Sequence, residues 1–276
     1  MSDARPIGVV DSGLGGLTVV KELLRAMPNE SVIYFGDTAH FPYGCRSEEA
    51  IRRNGMQSAR FVLGHDVKML VVACSTMSSV LLDDISKEMF DVPLIGAIVP
   101  VVKAAAKRTM NKKIGVLGTA ATVNSRAYEK IIRDIDPECK PYQKACPLFV
   151  PIVEEGLYDS EIARLVAQKY CAGLVEQGTD IVILACTHYP LLMETIQETV
   201  GANITVLDSA LWIAREAREI LHAIGGFCPQ SMDNERQSWF YVSDVAPTMI
   251  QCASAFFGSP MLDLMKVELS EVEKSI

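Results

Sequence analysis

Two cysteines of the 276-residue chain stand where a thiol can do chemistry. Cys74 ends the apolar run Met69–Ala73 and precedes Ser75-Thr76-Met77-Ser78, a composition that opens a helix. Cys186 follows Ile181–Ala185, with Thr187-His188 in the turn and Pro190 suited to a first helical turn. Each thiol is expected at the carboxyl end of a parallel strand, where open α/β sheets place ligands. The N–H groups and dipole of the following helix are expected to lower its pKa and favour thiolate. Alone, either cysteine reads as a buried structural residue; in matched settings they read as a pair. The other six, at positions 45, 139, 146, 171, 228 and 252, lack this setting and read as small apolar core residues. No two cysteines have C-x-x-C spacing, so neither a zinc ribbon, nor any other metal site, nor a thioredoxin-type centre is read.

Other polar groups gather at the same strand ends. Asp11 closes the first apolar strand and leads into Ser12-Gly13-Leu14-Gly15-Gly16. It reads either as an Asx-turn or cap residue or as a ligand for an ammonium group. A phosphate cradle fits poorly: Thr18 stands where a dinucleotide fingerprint needs its third glycine, a carboxylate would repel pyrophosphate, and no P-loop motif occurs. Ser12, Ser75, Thr76, Thr119, Thr122 and Thr187 supply small hydroxyls, and Tyr43-Gly44 adds a glycine-bearing loop after the second strand. Such residues are mostly caps, but together they suit a small zwitterion. His188, two residues after Cys186, can tune a thiol or contact a carboxylate. Two opposed thiols with no cofactor motif point to one reaction: a thiolate takes a proton from a carbon and a thiol on the other face returns one. A weakly acidic Cα–H then requires preorganised donors and exclusion of water.

The elements that must position these groups are legible as alternating strands and helices. Strands are expected at Ile7–Val10, Val32–Phe35, Met69–Ala73, Leu94–Ile98, Ile114–Leu117, Gln143–Ala145, Ile181–Leu184, Ile204–Leu207 and Trp239–Val242. Amphipathic helices are expected over Leu17–Arg25, Ser47–Leu63 and Glu161–Glu176. Ile7-Gly8-Val9 has an echo in Ile114-Gly115-Val116, and "VVACSTMSSVLL" has one in "VILACTHYPLL". The expected fold class is therefore α/β, with two similar doubly wound, mostly parallel-sheet domains and the active site between them. Gly225–Gln237 reads as a surface loop and the tail "KVELSEVEKSI" as a solvated helix or frayed end. Apolar residues make up 49% of the chain, enough for a sizeable core, and the net charge is −8. That charge argues against nucleic acid or an anionic membrane as partner. With no signal-like or membrane-length apolar run, a cytoplasmic location is expected.

Six segments carry a family resemblance: "IGVVDSGLGGLTVV", "YFGDTAHFPYG", "LGTAATVNSRAYEK", "ACPLFVPIVEEGL", "ILACTHYPLL" and "VLDSALWIAREAREIL". Together they resemble the cofactor-independent aspartate/glutamate racemase superfamily, and within it the glutamate racemases, over nearly the whole chain. The resemblance implies a pseudo-two-fold pair of domains, residues 1–97 plus 211–276 and residues 98–210, in a homodimer without a cofactor. It implies that Cys74 acts on D-glutamate and Cys186 on L-glutamate, with Asp11 assisting Cys74, and Glu154 and His188 assisting Cys186. It carries substrate binding to Asp11, Ser12, Tyr43, Gly44, Ser75, Thr76, Thr119, Thr122, Thr187 and His188. It also implies a supply of D-glutamate for peptidoglycan. Two positions depart from the family pattern: Ser75 stands where Asn is usual, and Val99 where many members have Glu. A hydroxyl reaches less far than an amide and offers different donors, so aspartate or another amino acid is the alternative substrate. A small-anion binder without catalysis, or a thiol hydrolase using Cys186 and His188, would leave one or both thiols without a role.

Overall fold

The central strands are buried along their whole length, as parallel sheets covered by helices on both faces must be. The computed structural model describes residues 2–88, 92–229, 237–246, 249–260 and 263–268. The chain begins β1 (Ile7–Asp11), α1 (Leu17–Ala26), β2 (Val32–Gly36), α2 (Glu48–Leu63), β3 (Met69–Val72), α3 (Ser75–Glu88) and β4 (Leu94–Gly96). It continues α4 (Ile98–Arg108), β5 (Lys113–Gly118), α5 (Ala120–Asn124), α6 (Ala127–Ile135), β6 (Lys140–Ala145), α7 (Phe149–Glu154) and α8 (Glu161–Glu176). Then come β7 (Ile181–Ala185), α9 (Met193–Val200), β8 (Thr205–Asp208), α10 (Ser209–Ile224), β9 (Trp239–Val242), α11 (Met249–Phe257) and β10 (Met265–Lys266). Short 3-10 turns lie at Tyr43–Cys45 and Tyr189–Leu192.

These strands form two parallel sheets, ordered β10-β9-β2-β1-β3-β4 and β6-β5-β7-β8. The fold class is α/β, as the alternation of elements implies. The sequence echo reappears as topology: both sheets contain four strands in the order second, first, third, fourth. The first sheet gains β9 and β10 from the C-terminal part of the chain, beside β2. An apolar core runs without a break from β1 and α1, through Leu117 and Phe149, to β7 and α10. The two sheets are thus joined by buried side chains as well as by the chain itself.

Helix starts follow the capping residues in the sequence. Ser47 caps α2 and Ser160 caps α8 by accepting the N–H groups of Ala50 and Ala163. Asp208 does the same for α10, which ends at Gly225 in the left-handed region at φ 65°.

Three expectations need correction. The strand expected over Leu94–Ile98 stops at Gly96, and Ile98 begins α4. Pro100 lies in the first turn of α4, where its missing N–H costs nothing. The strand expected at Gln143–Ala145 starts earlier, at Lys140, and includes Pro141. As an edge strand, β6 tolerates both the polar residues and the proline. The tail expected to be helical or frayed instead contributes Lys266 to β10, and Val267 N–H bonds Val242 O. Residues 269–276 of that tail and 230–236 of the expected loop lie outside the described residues.

Candidate active site

Parallel register determines which residues share a strand end. In the first sheet Asp11 pairs with Gly36, and Val10 with Val72. That register puts Asp11, Asp37 and Cys74 along one carboxyl edge. In the second sheet Gly118 pairs with both Ala145 and Ala185, so Cys146, Thr119 and Cys186 stand side by side just beyond it. The two edges enclose a cavity of about 230 Å³. Ser12, Tyr43, Gly44, Cys74, Ser75, Thr76, Thr119, Cys186, Thr187 and His188 all line it. Asp11, Thr122 and Glu154 are not among the lining residues; they stand behind the wall and bond to residues that are.

Asp11 shows what the glycine-rich turn is for. Its carboxylate is fully buried, and Oδ2 accepts the N–H groups of Gly13 (3.1 Å) and Gly16 (3.0 Å). Oδ1 takes the Thr187 hydroxyl at 3.5 Å, across to the other sheet's loop. Burial raises the Asp11 pKa, and His188 and the loop N–H groups work against that rise. Gly15 is required by closeness, not by backbone conformation. A Cβ there would lie 2.4 Å from Thr187 Oγ1 and 2.5 Å from His188 Nδ1. Gly15→Ala is therefore expected to push the Thr187-His188 loop out of place and cut turnover about tenfold or more. Steady-state rates with an unchanged circular dichroism spectrum would check it.

Burial decides the state of the two thiols. Cys74 is pushed up to about 11 by burial and by the nearby Asp11 charge, against the lowering influence of Ser12 and of the Met77 and Thr76 N–H groups. Cys186 is also pushed well up, by burial first, with only the His188 N–H opposing. The depressed thiol pKa expected from the helix N-termini does not hold, because desolvation outweighs those donors. Ser12 Oγ lies 3.3 Å from Cys74 Sγ.

On the Cys186 side, His188 Nε2 meets Glu154 Oε1 at 2.5 Å. Burial works to raise Glu154, but the hydrogen bond and charge of His188, with a contact from Cys252, hold it below the ordinary carboxylate value. The His188 ring is stacked on Phe41, with centroids 5.3 Å apart and 13° between planes. Thr76, Thr119 and Thr122 close a triangle of hydroxyls at 3.0, 3.1 and 3.0 Å. It ties the start of α3 to the start of α5, hence one sheet's loop to the other's. Ser75 Oγ is 3.3 Å from Tyr128 OH.

Several site residues escaped the sequence reading. Phe41, Pro42, Cys45, Ala120, Cys146, Pro147, Val150 and Pro151 complete the lining. Cys146 carries a signal that was available: like Cys186, it directly follows an expected strand. Asp37 is fully buried and accepts Tyr43 OH at 2.5 Å, Ser243 Oγ at 2.7 Å and His40 Nδ1 at 2.9 Å. It anchors the cavity-lining Tyr43 to the segment after β9, a link that sequence spacing cannot show. Among the described residues, no group of three or more His, Cys, Asp or Glu is placed to hold a metal ion. No helix among them is long and apolar enough to cross a membrane.

Two parallel-sheet units on either side of a small chamber, each contributing a cavity-lining thiol, define a class of α/β protein with paired cysteines. The Asp/Glu/Hydantoin racemase family model matches residues 7–217, and the chain belongs to that family. It is 43% identical over 270 residues to a glutamate racemase of Geobacter metallireducens, covering 98% of each chain. It is 41% identical over 269 residues to one of Thermoanaerobacter pseudethanolicus, covering 98% of this chain and 99% of the other. Among solved structures, the glutamate racemase of Francisella tularensis in complex with D-glutamate matches with TM-score 0.91 and 34% identity, covering 98% of this chain and 99% of that one. An aspartate racemase homologue from Pyrococcus horikoshii shares the fold at TM-score 0.57 and 20% identity, covering 79% of this chain and 99% of that one.

Proposed function

We propose that the protein interconverts L- and D-glutamate by proton transfer at Cα, using two thiols and no cofactor. The observation that carries this reading is that Cys74 and Cys186, from the ends of two different sheets, line one small cavity. Membership of the racemase family and relatives named glutamate racemase at 43% and 41% identity support glutamate over aspartate. Ser75 does not displace that choice: its hydroxyl lies beside Tyr128 OH at the start of α3, and a helix N-terminus is itself suited to bind an anionic group.

In the direction from L-glutamate, Cys186 takes the Cα proton and Cys74 returns one to the opposite face; from D-glutamate the roles exchange. Burial makes each thiolate costly to form but strongly basic once formed, which suits a weakly acidic Cα–H. The substrate ammonium offsets the thiolate charge in an enclosure that excludes water. Ser12, Ser75, Thr76 and Thr187, with Tyr43-Gly44 and Thr119, offer donors for the two carboxylates. Asp11 acts from behind the wall on the Cys74 side; Glu154 and His188 orient the Cys186 side. Thr122 acts through the hydroxyl triangle.

The same reading divides the chain into residues 1–97 plus 211–276 and residues 98–210, hinged over the substrate. Support comes from the sheets, each of which takes all its strands from one of these two parts. It also places the protein in the cytoplasm as a homodimer that supplies D-glutamate for peptidoglycan.

The test is circular dichroism at constant glutamate concentration without pyridoxal phosphate. The signal from either pure enantiomer is expected to decay to zero, and in D2O the newly formed enantiomer is expected to carry deuterium at Cα. A signal that stays constant from both enantiomers would end this reading.

A further inference from the structure

Helix α11 belongs to the C-terminal part of the chain, yet two of its side chains reach the Glu154–His188 pair. Cys252 Sγ lies 3.6 Å from Glu154 Oε2, the oxygen His188 does not use. Phe256 sets its ring against that of His188, with centroids 4.8 Å apart and 73° between planes. Cys252 and Phe256 are four residues apart on a helix, so they share one face. Phe41 stacks on the same imidazole at only 13°, a second aromatic contact in a different orientation. Each Glu154 oxygen therefore has its own partner, and the His188 ring is packed by two aromatic residues.

We propose that Cys252 is a positioning residue for the Cys186 half of the reaction: its S–H donates to Glu154 Oε2, fixes the rotation of that carboxylate, and so holds His188 against the cavity. The inference rests on the racemase reading, in which Glu154 and His188 serve Cys186. Cys252 is not among the cavity-lining residues, so its influence passes through Glu154 and not through the substrate. Burial first, and the Glu154 charge second, push its thiol up to about 12. It therefore keeps its proton at neutral pH and faces the carboxylate as a donor. A thiol is a weak donor, so the gain lies in geometry: a carboxylate bonded at both oxygens cannot swing away from the imidazole.

The experiment compares Cys252→Ala, Cys252→Ser and Glu154→Gln in the full-length protein, using Cα-deuterated L- and D-glutamate. Because the two enantiomers have equal free energy, kcat/KM must fall equally in both directions, and Cys252→Ala is expected to lower it about tenfold. The isotope effects separate positioning from general loosening. Starting from L-glutamate, Cys186 removes the labelled atom, so the isotope effect on kcat/KM is expected to rise in Cys252→Ala. Starting from D-glutamate, Cys74 removes it and donation by Cys186 becomes slower, so the isotope effect is expected to fall. Cys252→Ser, which keeps an O–H donor, is expected to stay near the parent in both rate and isotope effects. An unchanged rate in Cys252→Ala, or isotope effects that move together, would overturn the proposal. If Glu154→Gln gives opposed isotope effects and Cys252→Ala does not, the role of Cys252 alone fails. If Glu154→Gln also leaves them symmetric, the assignment of Glu154 to the Cys186 side fails with it.

Discussion

Cys74→Ser and Cys186→Ser are each expected to lower racemisation at least about 10³-fold in both directions, the scale of a lost general acid or base. Serine keeps the size and a donor, but its hydroxyl is far less acidic than a thiol and cannot supply the base. Cys74 is buried, with the Ser12 hydroxyl beside it, and Cys186 is partly buried in the cavity wall, so the fold is expected to tolerate an oxygen at either position. Stopped racemisation with an unchanged unfolding midpoint is therefore the expected pair of results. The label pattern in D2O adds a second check on the parent protein. A thiol carries one proton, so abstraction by one and donation by the other puts solvent deuterium into the product, while recovered substrate stays protonated. Deuterium appearing equally in substrate and product would mean a single polyprotic base, and either cysteine variant racemising at the parent rate would remove that cysteine from the chemistry.

Both thiols are legible in the sequence because their positions are set by local rules. A strand that ends in Ala73-Cys74 or Ala185-Cys186, followed by cap-type residues, places its cysteine at a sheet's carboxyl edge whatever the tertiary structure. The repeated echo was legible for the same reason, and it returned as a repeated strand order. What local rules missed depends on burial or on distant chain. Burial reversed the expected thiol pKa, because a helix N-terminus acts fully only where solvent does not have to be stripped away. Cys146 also follows an expected strand, but that strand is a polar edge strand and Pro147-Leu148-Phe149 after it offers no cap-type residue, so the setting shared by Cys74 and Cys186 is missing. Cys252 was out of reach: it contacts Glu154 only because α11 returns to the site from 98 residues further along the chain. Ile98 misleads through β-branching, which favours strand locally but yields to a helical turn that accommodates Pro100 and to packing against the second sheet.

The site depends on a first sheet that keeps its strands in place, and one buried ion pair ties the segments around that sheet together at the opposite ends of its strands. Lys68, just before β3, places Nζ 2.5 Å from Glu30 Oε2, with both side chains nearly inaccessible to water. The same ammonium donates to Asp3 O at 2.8 Å and Gly226 O at 2.9 Å. Glu30 Oε1 in turn accepts the Cys228 N–H at 2.8 Å. Four separate segments therefore meet at one charge pair: the lead into β1, the turn before β2, the turn before β3 and the chain leaving α10. Lys68→Met keeps most of the side chain's length but removes the ammonium that faces the buried Glu30 carboxylate. That variant is expected to lose about 3–5 kcal/mol of stability, since removing one partner strands the other charge in a medium that cannot solvate it. The double variant Lys68→Met with Glu30→Leu is expected to recover most of the loss, because neither charge then has to be desolvated. Urea unfolding of the three proteins, followed by far-ultraviolet circular dichroism, measures both steps. Equal midpoints for the parent and Lys68→Met would show that water reaches the pair, and a double variant less stable than the single would show that the net attraction exceeds the desolvation cost.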